Sequence, residues 1–514
     1  MSEVNLEIAN EKRSVFSRMA TENGATTEVC EEFSLPDYVP EVRKVLLTRA
    51  SVLPESKFIS DGEKNATLEF GGSVNYTVIY VDDEGNLSST PLSSTYEEKA
   101  NISPSPSSVF VDTAIDSINL RATAPRKLNI KSRLKSKIYS CKKSDYQEEI
   151  RNKSSADELF IERKSKSVPS FDVKSAVLQD IAISEKLDTP PCESIRPIWC
   201  DAGITVKSSV PKKDYVEISG DVFVKCICEC DGEINVFTKI MPIYEDVECN
   251  GVTEASLVSA QGKCVSLTIS SEEKENASLL FFDVKCELEC DAYDRTENNV
   301  TLDCYSTRCE LDSSYKTIEL FTPLSSFNRS FSINETVKRK SKDIREIIDT
   351  FSDVTVDKIE ERNGKATVYG TLKVSLIGKS APLDDASFEY LCETVDIPLR
   401  YDTDMAYKND MICRASLDAP LLNTRIENDK LSVSGEAYVR MSAISRENDK
   451  ILDFAVLKRD AELPKDNTSI RVYFPKFDDT LWDVAKKYHV KASDIMEKNS
   501  LDNDSLAGIP HLII

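Results

Sequence analysis

Histidine is nearly missing. Of 514 residues only two are histidine, His489 and His511, both near the C-terminus. No Ser-His-Asp or Cys-His constellation can be assembled upstream of them. A carboxylate pair could still do acid–base chemistry, but among 88 acidic residues nothing singles one out. A glycine-rich phosphate loop is missing too, since Gly71-Gly72 stands alone and leads into a strand-like run. No apolar run is long enough to span a bilayer. Met1 to Gly24 has neither a continuous apolar stretch nor a small-residue cleavage site. It does not read as a secretory signal, so the chain is expected to stay in the cytosol. Basic residues are outnumbered, 65 against 88, for a formal net charge of −23. Phosphate contacts need clustered Lys and Arg, which argues against nucleic acid and against an anionic membrane surface. The expectation is a non-enzymatic chain with no catalytic residues, no cofactor and no metal.

What is present is repetition. One motif (apolar, Arg, any residue, two apolar) occurs at Val42-Arg43-Lys44-Val45-Leu46, Ile195-Arg196-Pro197-Ile198-Trp199 and Ile344-Arg345-Glu346-Ile347-Ile348. The arginines are 153 and 149 residues apart. Downstream, Gly72, Gly220 and Gly370 each enter an alternating run: Val74, Tyr76, Val78 and Tyr80; Val222, Val224, Cys226, Cys228 and Cys230; Leu372, Val374 and Leu376. Period two puts each set on one face of a strand, and the glycine marks a bulge or close backbone approach at the strand start. A second strand closes each copy, led by Leu128, Leu280 and Leu431. Three markers recurring in order near one interval predict three tandem antiparallel β-rich domains, over 30–145, 183–310 and 330–448. Each sheet is expected to have one apolar and one wet face. Residues 142–170 read as linker with some helix. Residues 335–350, with Val337, Ile344, Ile347 and Ile348 among charges, read as a short amphipathic helix.

Fifteen cysteines do not make a secreted disulfide scaffold in a chain of this length without a signal. Eleven fall between Cys192 and Cys309. Cys226-Ile227-Cys228-Glu229-Cys230 has the wrong spacing for zinc, whose thiolate pairs converge from a turn. The thiols continue the apolar face begun by Val222 and are expected to be reduced, buried hydrophobes.

The C-terminal stretch has a different grammar. A strand at 471–474 is followed by Asp478-Asp479-Thr480-Leu481-Trp482-Asp483. Asp479 or Thr480 can cap a helix, with Asp483 completing a capping box. Leu481, Val484, Ala485 and Tyr488 share one helical face. Ser493 is the expected cap of a second helix holding Ile495, Met496 and Asn499, and residues 511–514 close as a strand. The prediction for 469–514 is a small α+β (βααβ) domain, behind a chain that is otherwise mainly β.

The run DDTLWDVAKKYHVKASDIMEKNSL resembles the LysM pattern. LysM modules typically bind N-acetylglucosamine-containing glycans between the loop before the first helix and the loop before the last strand. Carried over by position, that implies Asp479, Thr480, Leu481 and Trp482 on one side and Ser505, Leu506 and Ala507 on the other. Two departures fall in this groove: Asp478 replaces the usual glycine, and residues 506–511 lack the usual Pro-Gly-Gln step. For Trp482, core packing and ligand contact both remain open. Three β repeats followed by one LysM resemble the SPOCS-domain proteins of spore coats. The resemblance implies a coat-assembly scaffold in the mother-cell cytoplasm at the forespore surface. Its LysM would engage the coat basement-layer morphogenetic ATPase (SpoIVA-type), with other coat proteins as further partners. The alternative is a peptidoglycan- or cortex-binding wall protein.

Overall fold

Buried side chains fall where the alternation puts them. Val74, Tyr76, Val78 and Tyr80 are buried, as are Val222 to Cys230 at every second position and Leu372, Val374 and Leu376. So are Leu128, Ile130 and Leu134 and their counterparts from Leu280 and Leu431 onward. The computed structural model describes residues 7–61, 66–102, 105–152, 160–187, 189, 192–274, 277–341, 343–381, 388–462 and 470–514. These are mainly strands in antiparallel sheets, with two short helices near the C-terminus.

The strand order repeats three times. The first unit comprises β1 (Glu7–Ser34), β2 (Val42–Asp61), β3 (Ala66–Asp82), β4 (Leu87–Ile102), β5 (Ser108–Ala124) and β6 (Lys127–Asn152). The meander β2-β3-β4 forms one sheet, and β1-β6-β5 the other. The second unit runs through β7 (Ile161–Leu187), β8 (Ile195–Lys212), β9 (Tyr215–Cys230), β10 (Glu233–Glu248), β11 (Leu257–Lys274) and β12 (Ala277–Ser306). Its sheets are β8-β9-β10 and β7-β12-β11. The third follows suit with β13 (Cys309–Lys338), β14 (Ile344–Arg362), β15 (Lys365–Ser380) and β16 (Tyr390–Ala406), then two short strands, β17 (Ile412–Asp418) and β18 (Leu422–Glu427), and finally β19 (Lys430–Glu462). In each unit the two sheets face each other across an apolar core.

The three glycines share one function. A Cβ on Gly72, Gly220 or Gly370 would lie 2.2, 2.1 or 2.5 Å from the carbonyl oxygen of Leu53, Thr205 or Thr355 on the preceding strand. Each glycine stands opposite a bulge, at Pro54/Ser56, Val206/Ser208 and Val356/Lys358. The close approach is as expected, but the glycines lie inside their strands and not at the start.

Several expectations need correction. Residues 335–350 are the end of β13 and the start of β14, with no helix. β14 carries bulges between Ile344/Glu346 and Ile347/Asp349, and two bulges in quick succession imitate the i, i+3, i+4 spacing of a helix. The supposed linker 142–170 is strand in β6 and β7, and its residues 153–159 lie outside the described residues. The long first strands β1, β7 and β13 begin ahead of the intervals 30–145, 183–310 and 330–448. Cys200 and Cys226 are joined as a disulfide and are not free thiols.

Nor are the units independent beads. The face expected to be wet carries Ile79, Ile227 and Ile377, each seven residues after its glycine. All three are buried, and they meet in one cluster with Leu87, Ile198, Trp199 and Phe351. Trp199 and Phe351 stack edge to face at 4.9 Å. The repeated motif is thereby explained. Its first apolar residue (Val42, Ile195 or Ile344) enters its own unit's core, and its last (Leu46, Trp199 or Ile348) enters the shared cluster. The long strands form a second junction, where Met19, Phe171 and Phe321 meet Tyr139, Tyr293 and Ile444. Charged side chains cross between units as well. Arg49 reaches Asp201 and the Ser352 carbonyl, both at 3.2 Å. Arg414 grips Asp112 at 2.8 and 3.1 Å and Asp291 at 3.0 Å. Finally β19 pairs in parallel with β6, at Phe454–Glu149 to Val456–Arg151, merging first- and third-unit strands into one seven-stranded sheet.

Candidate binding site

The C-terminal module is built from β20 (Val472–Tyr473), α1 (Leu481–Tyr488), α2 (Ala492–Asn499) and β21 (Leu512–Ile513). Thr480 caps α1 in a capping box with Asp483, as the sequence predicts. The cap of α2 differs. Lys491, not Ser493, holds the N-cap position, with no side-chain cap bond, because the helix starts two residues earlier. Asn499 ties the helix end to the last strand. Its Nδ2 donates to the carbonyls of Ile495 (2.8 Å) and Ile513 (2.7 Å), and its Oδ1 accepts from the Ile513 N–H.

The seven groove residues have unlike fates. Leu481 and Leu506 are core residues of the module, buried with Val484, Ala485, Ile495 and Leu512. They anchor the two loops. Asp479 braces its own loop, accepting from the Tyr473 hydroxyl (2.5 Å) and the Lys476 N–H (2.7 Å). These bonds hold its carboxyl below the usual range. Thr480, Ser505 and Ala507 are exposed.

Trp482 turns the other way. Its Nε1 donates to Asp303 at 2.8 Å, and its ring meets Tyr305 edge to face at 4.9 Å. Lys486 adds 2.7 Å contacts to both Asp303 oxygens, and His489 Nδ1 lies 2.8 Å from the Ser306 carbonyl. Tyr305 donates to the Val490 carbonyl at 2.7 Å. Trp482, Lys486 and His489, at i, i+4 and i+7, are thus a second stripe on α1, which docks on the end of β12. Asp303 also accepts from the Tyr315 hydroxyl at 2.6 Å. Burial opposes its charge, yet the bonds from Lys486, Tyr315 and Trp482 outweigh that and keep its pKa below the ordinary value. Asp303, Tyr305 and Ser306 carry no signal of their own in the sequence. The polar stripe on α1 was the readable half of the contact.

Another part of the module's surface is apolar and open. Ile470, Val472 and Phe474, at alternate positions on and around β20, are 72%, 46% and 70% exposed, with Ile513 paired to Val472 on β21. Phe477, in the loop before α1, is fully exposed. Val472 and Phe474 belong to the strand expected at 471–474, but which of its faces stays open has no signal in so short a strand. Among the described residues no group of three or more His, Cys, Asp or Glu side chains is placed to hold a metal ion. No described helix is long and apolar enough to cross a membrane.

No curated protein and no solved structure matches the chain. Residues 476–507 match the family model of the LysM domain, a match that takes in both helices and both groove loops. The docked module with one bound and one open side is thus the part of the chain that is similar to LysM domains.

Proposed function

We propose that the chain is a non-enzymatic scaffold whose LysM module holds a protein partner on its open apolar surface. The observation that carries this reading is the open face of Ile470, Val472, Phe474, Phe477 and Ile513. Clustered exposed apolar side chains on an otherwise well-buried module mark a protein contact, and aromatic residues are the usual anchors of such contacts. The module is already committed to Asp303 and Tyr305 through α1, so a partner gripped on the open face would be held at a fixed angle to the body. The resemblance to spore-coat scaffolds supplies the partner to test first, the basement-layer coat ATPase, and the setting, the forespore surface in the mother-cell cytoplasm. Co-purification with that ATPase tests the reading. Phe474→Ser with Phe477→Ser should abolish capture while thermal unfolding stays unchanged. Undiminished capture by the double variant would overturn it.

A second reading is glycan binding, favoured by the exposed Thr480, Ser505 and Ala507 at the two loops that the LysM match covers. Sedimentation with insoluble peptidoglycan separates the two. Retention on peptidoglycan that survives the double variant supports the glycan reading.

A further inference from the structure

The middle unit places cysteines in pairs. Cys200 and Cys226 are direct cross-strand partners on β8 and β9, and they are joined. Cys264 and Cys286 are direct partners on β11 and β12. Cys249, just beyond β10, lies beside the Cys290 side chain of β12 in the same core. Cys192, ahead of β8, is in side-chain contact with Cys230 at the end of β9. Each pair joins a central strand, β9 or β12, to an edge strand or a strand end. Directly opposed residues have Cβ atoms about 4.5–5.5 Å apart, a gap that a small backbone adjustment closes to disulfide distance.

The flanking units do not share this chemistry. At the same offsets from the repeated glycines and leucines, Cys226, Cys286 and Cys290 correspond to Val78, Leu134 and Ile138 in the first unit and to Leu376, Ala437 and Met441 in the third. An apolar core residue is enough to fill these positions. Filling space does not require that a second cysteine stand opposite each one.

We infer that the middle unit is a redox-modified cross-linking site, in which Cys192–Cys230, Cys249–Cys290 and Cys264–Cys286 close into disulfides alongside Cys200–Cys226. The oxidant is a low-molecular-weight disulfide. A protein thiolate attacks it, one small thiol leaves, and a mixed disulfide forms. The partner cysteine displaces the second small thiol. Per pair, one small S–S bond breaks, one protein S–S bond forms, and two electrons pass from the protein thiols to the reagent, which departs as two thiols. Entry is open at Cys264, which is partly exposed, whereas Cys286 and Cys290 are fully buried.

The test uses the full chain, reduced, desalted and incubated with oxidised glutathione, then alkylated and mapped by peptide mass. The expected result is four linked peptide pairs in the stated connectivity, with eight of the 15 thiols lost to alkylation and a Tm raised by several degrees. Cys264→Val keeps the apolar volume and should lose one linkage while retaining the other three. Links to Cys30, Cys141, Cys392 or Cys413, persistent glutathione adducts on the paired cysteines, or eight thiols still alkylated after folding is verified by circular dichroism would overturn the proposal.

Discussion

The two tryptophans divide the molecule. In the body, Trp199 is 6% exposed and packs against the next unit's Phe351, and the aromatic side chains of all three units converge on shared junctions. In the module, Trp482 serves as a docking peg, while Phe474 and Phe477 point outward. The body buries its recurring apolar positions in its own cores and junctions, and its exposed large side chains, among them Tyr38, Phe58 and Tyr244, lie outside those positions. The module leaves part of its apolar surface unspent, at positions with no counterpart in the repeats. Repetition in this chain therefore marks self-association, and its absence marks the surface free for something else.

That contrast can be broken from the body's side first. Arg414→Ala leaves Asp291 without its arginine in the junction of three units and leaves Asp112 only the more distant Arg440, and losing one partner of a buried charge pair costs about 3–5 kcal/mol. Denaturant unfolding of the full chain should show that loss, whereas Arg329→Ala, which removes an exposed ion pair with Asp404, should change little. Gly220→Ala should cost about 1–3 kcal/mol by overpacking, because its Cβ would strike the Thr205 carbonyl. An equal loss from Gly232→Ala would count against the bulge argument, since nothing lies near that position, although its φ of +83° adds some strain of its own.

The module's docking is the next test. In a Trp199→Phe background, Trp482 is the only tryptophan. Asp303→Ala should shift its emission to the red as the indole loses its acceptor, with the body's unfolding little changed. Acid should do the same to the unmutated contact. The folded pKa of Asp303 lies below its unfolded value. Its contribution is therefore complete above the unfolded pKa, about 3.9, and is lost as pH falls through the lowered folded value. Emission that stays constant down to complete unfolding would remove Asp303 from the contact. The smallest effect is expected at the α1 cap, where Thr480→Ala should cost about 1 kcal/mol of module stability, read by thermal melting.

Much of this was legible in the chain. Alternation located the central strands β3, β9 and β15 and the closing strands β6, β12 and β19, because one face of each is buried along its length. The long first strands were not legible. β1 carries an extra residue between Glu22 and Ala25, and β13 one between Pro323 and Ser325. Each bulge exchanges the faces, so a strand that serves its own core at one end and a junction at the other shows no single period. The module's helices and the Thr480 cap were readable because they are local. The docking of Trp482 on Asp303 joins residues far apart in the chain, and no short-range pattern reports it.

The parallel rungs between β6 and β19 carry a consequence for biosynthesis. Residues 149–151 leave the ribosome long before residues 454–456 exist to pair with them. Until then the nascent first unit presents an unguarded strand edge, the kind of edge that recruits a neighbouring chain. A polypeptide terminated anywhere before β19 should keep that edge bare and associate with other copies through it, so premature termination would yield aggregates and not a smaller working protein.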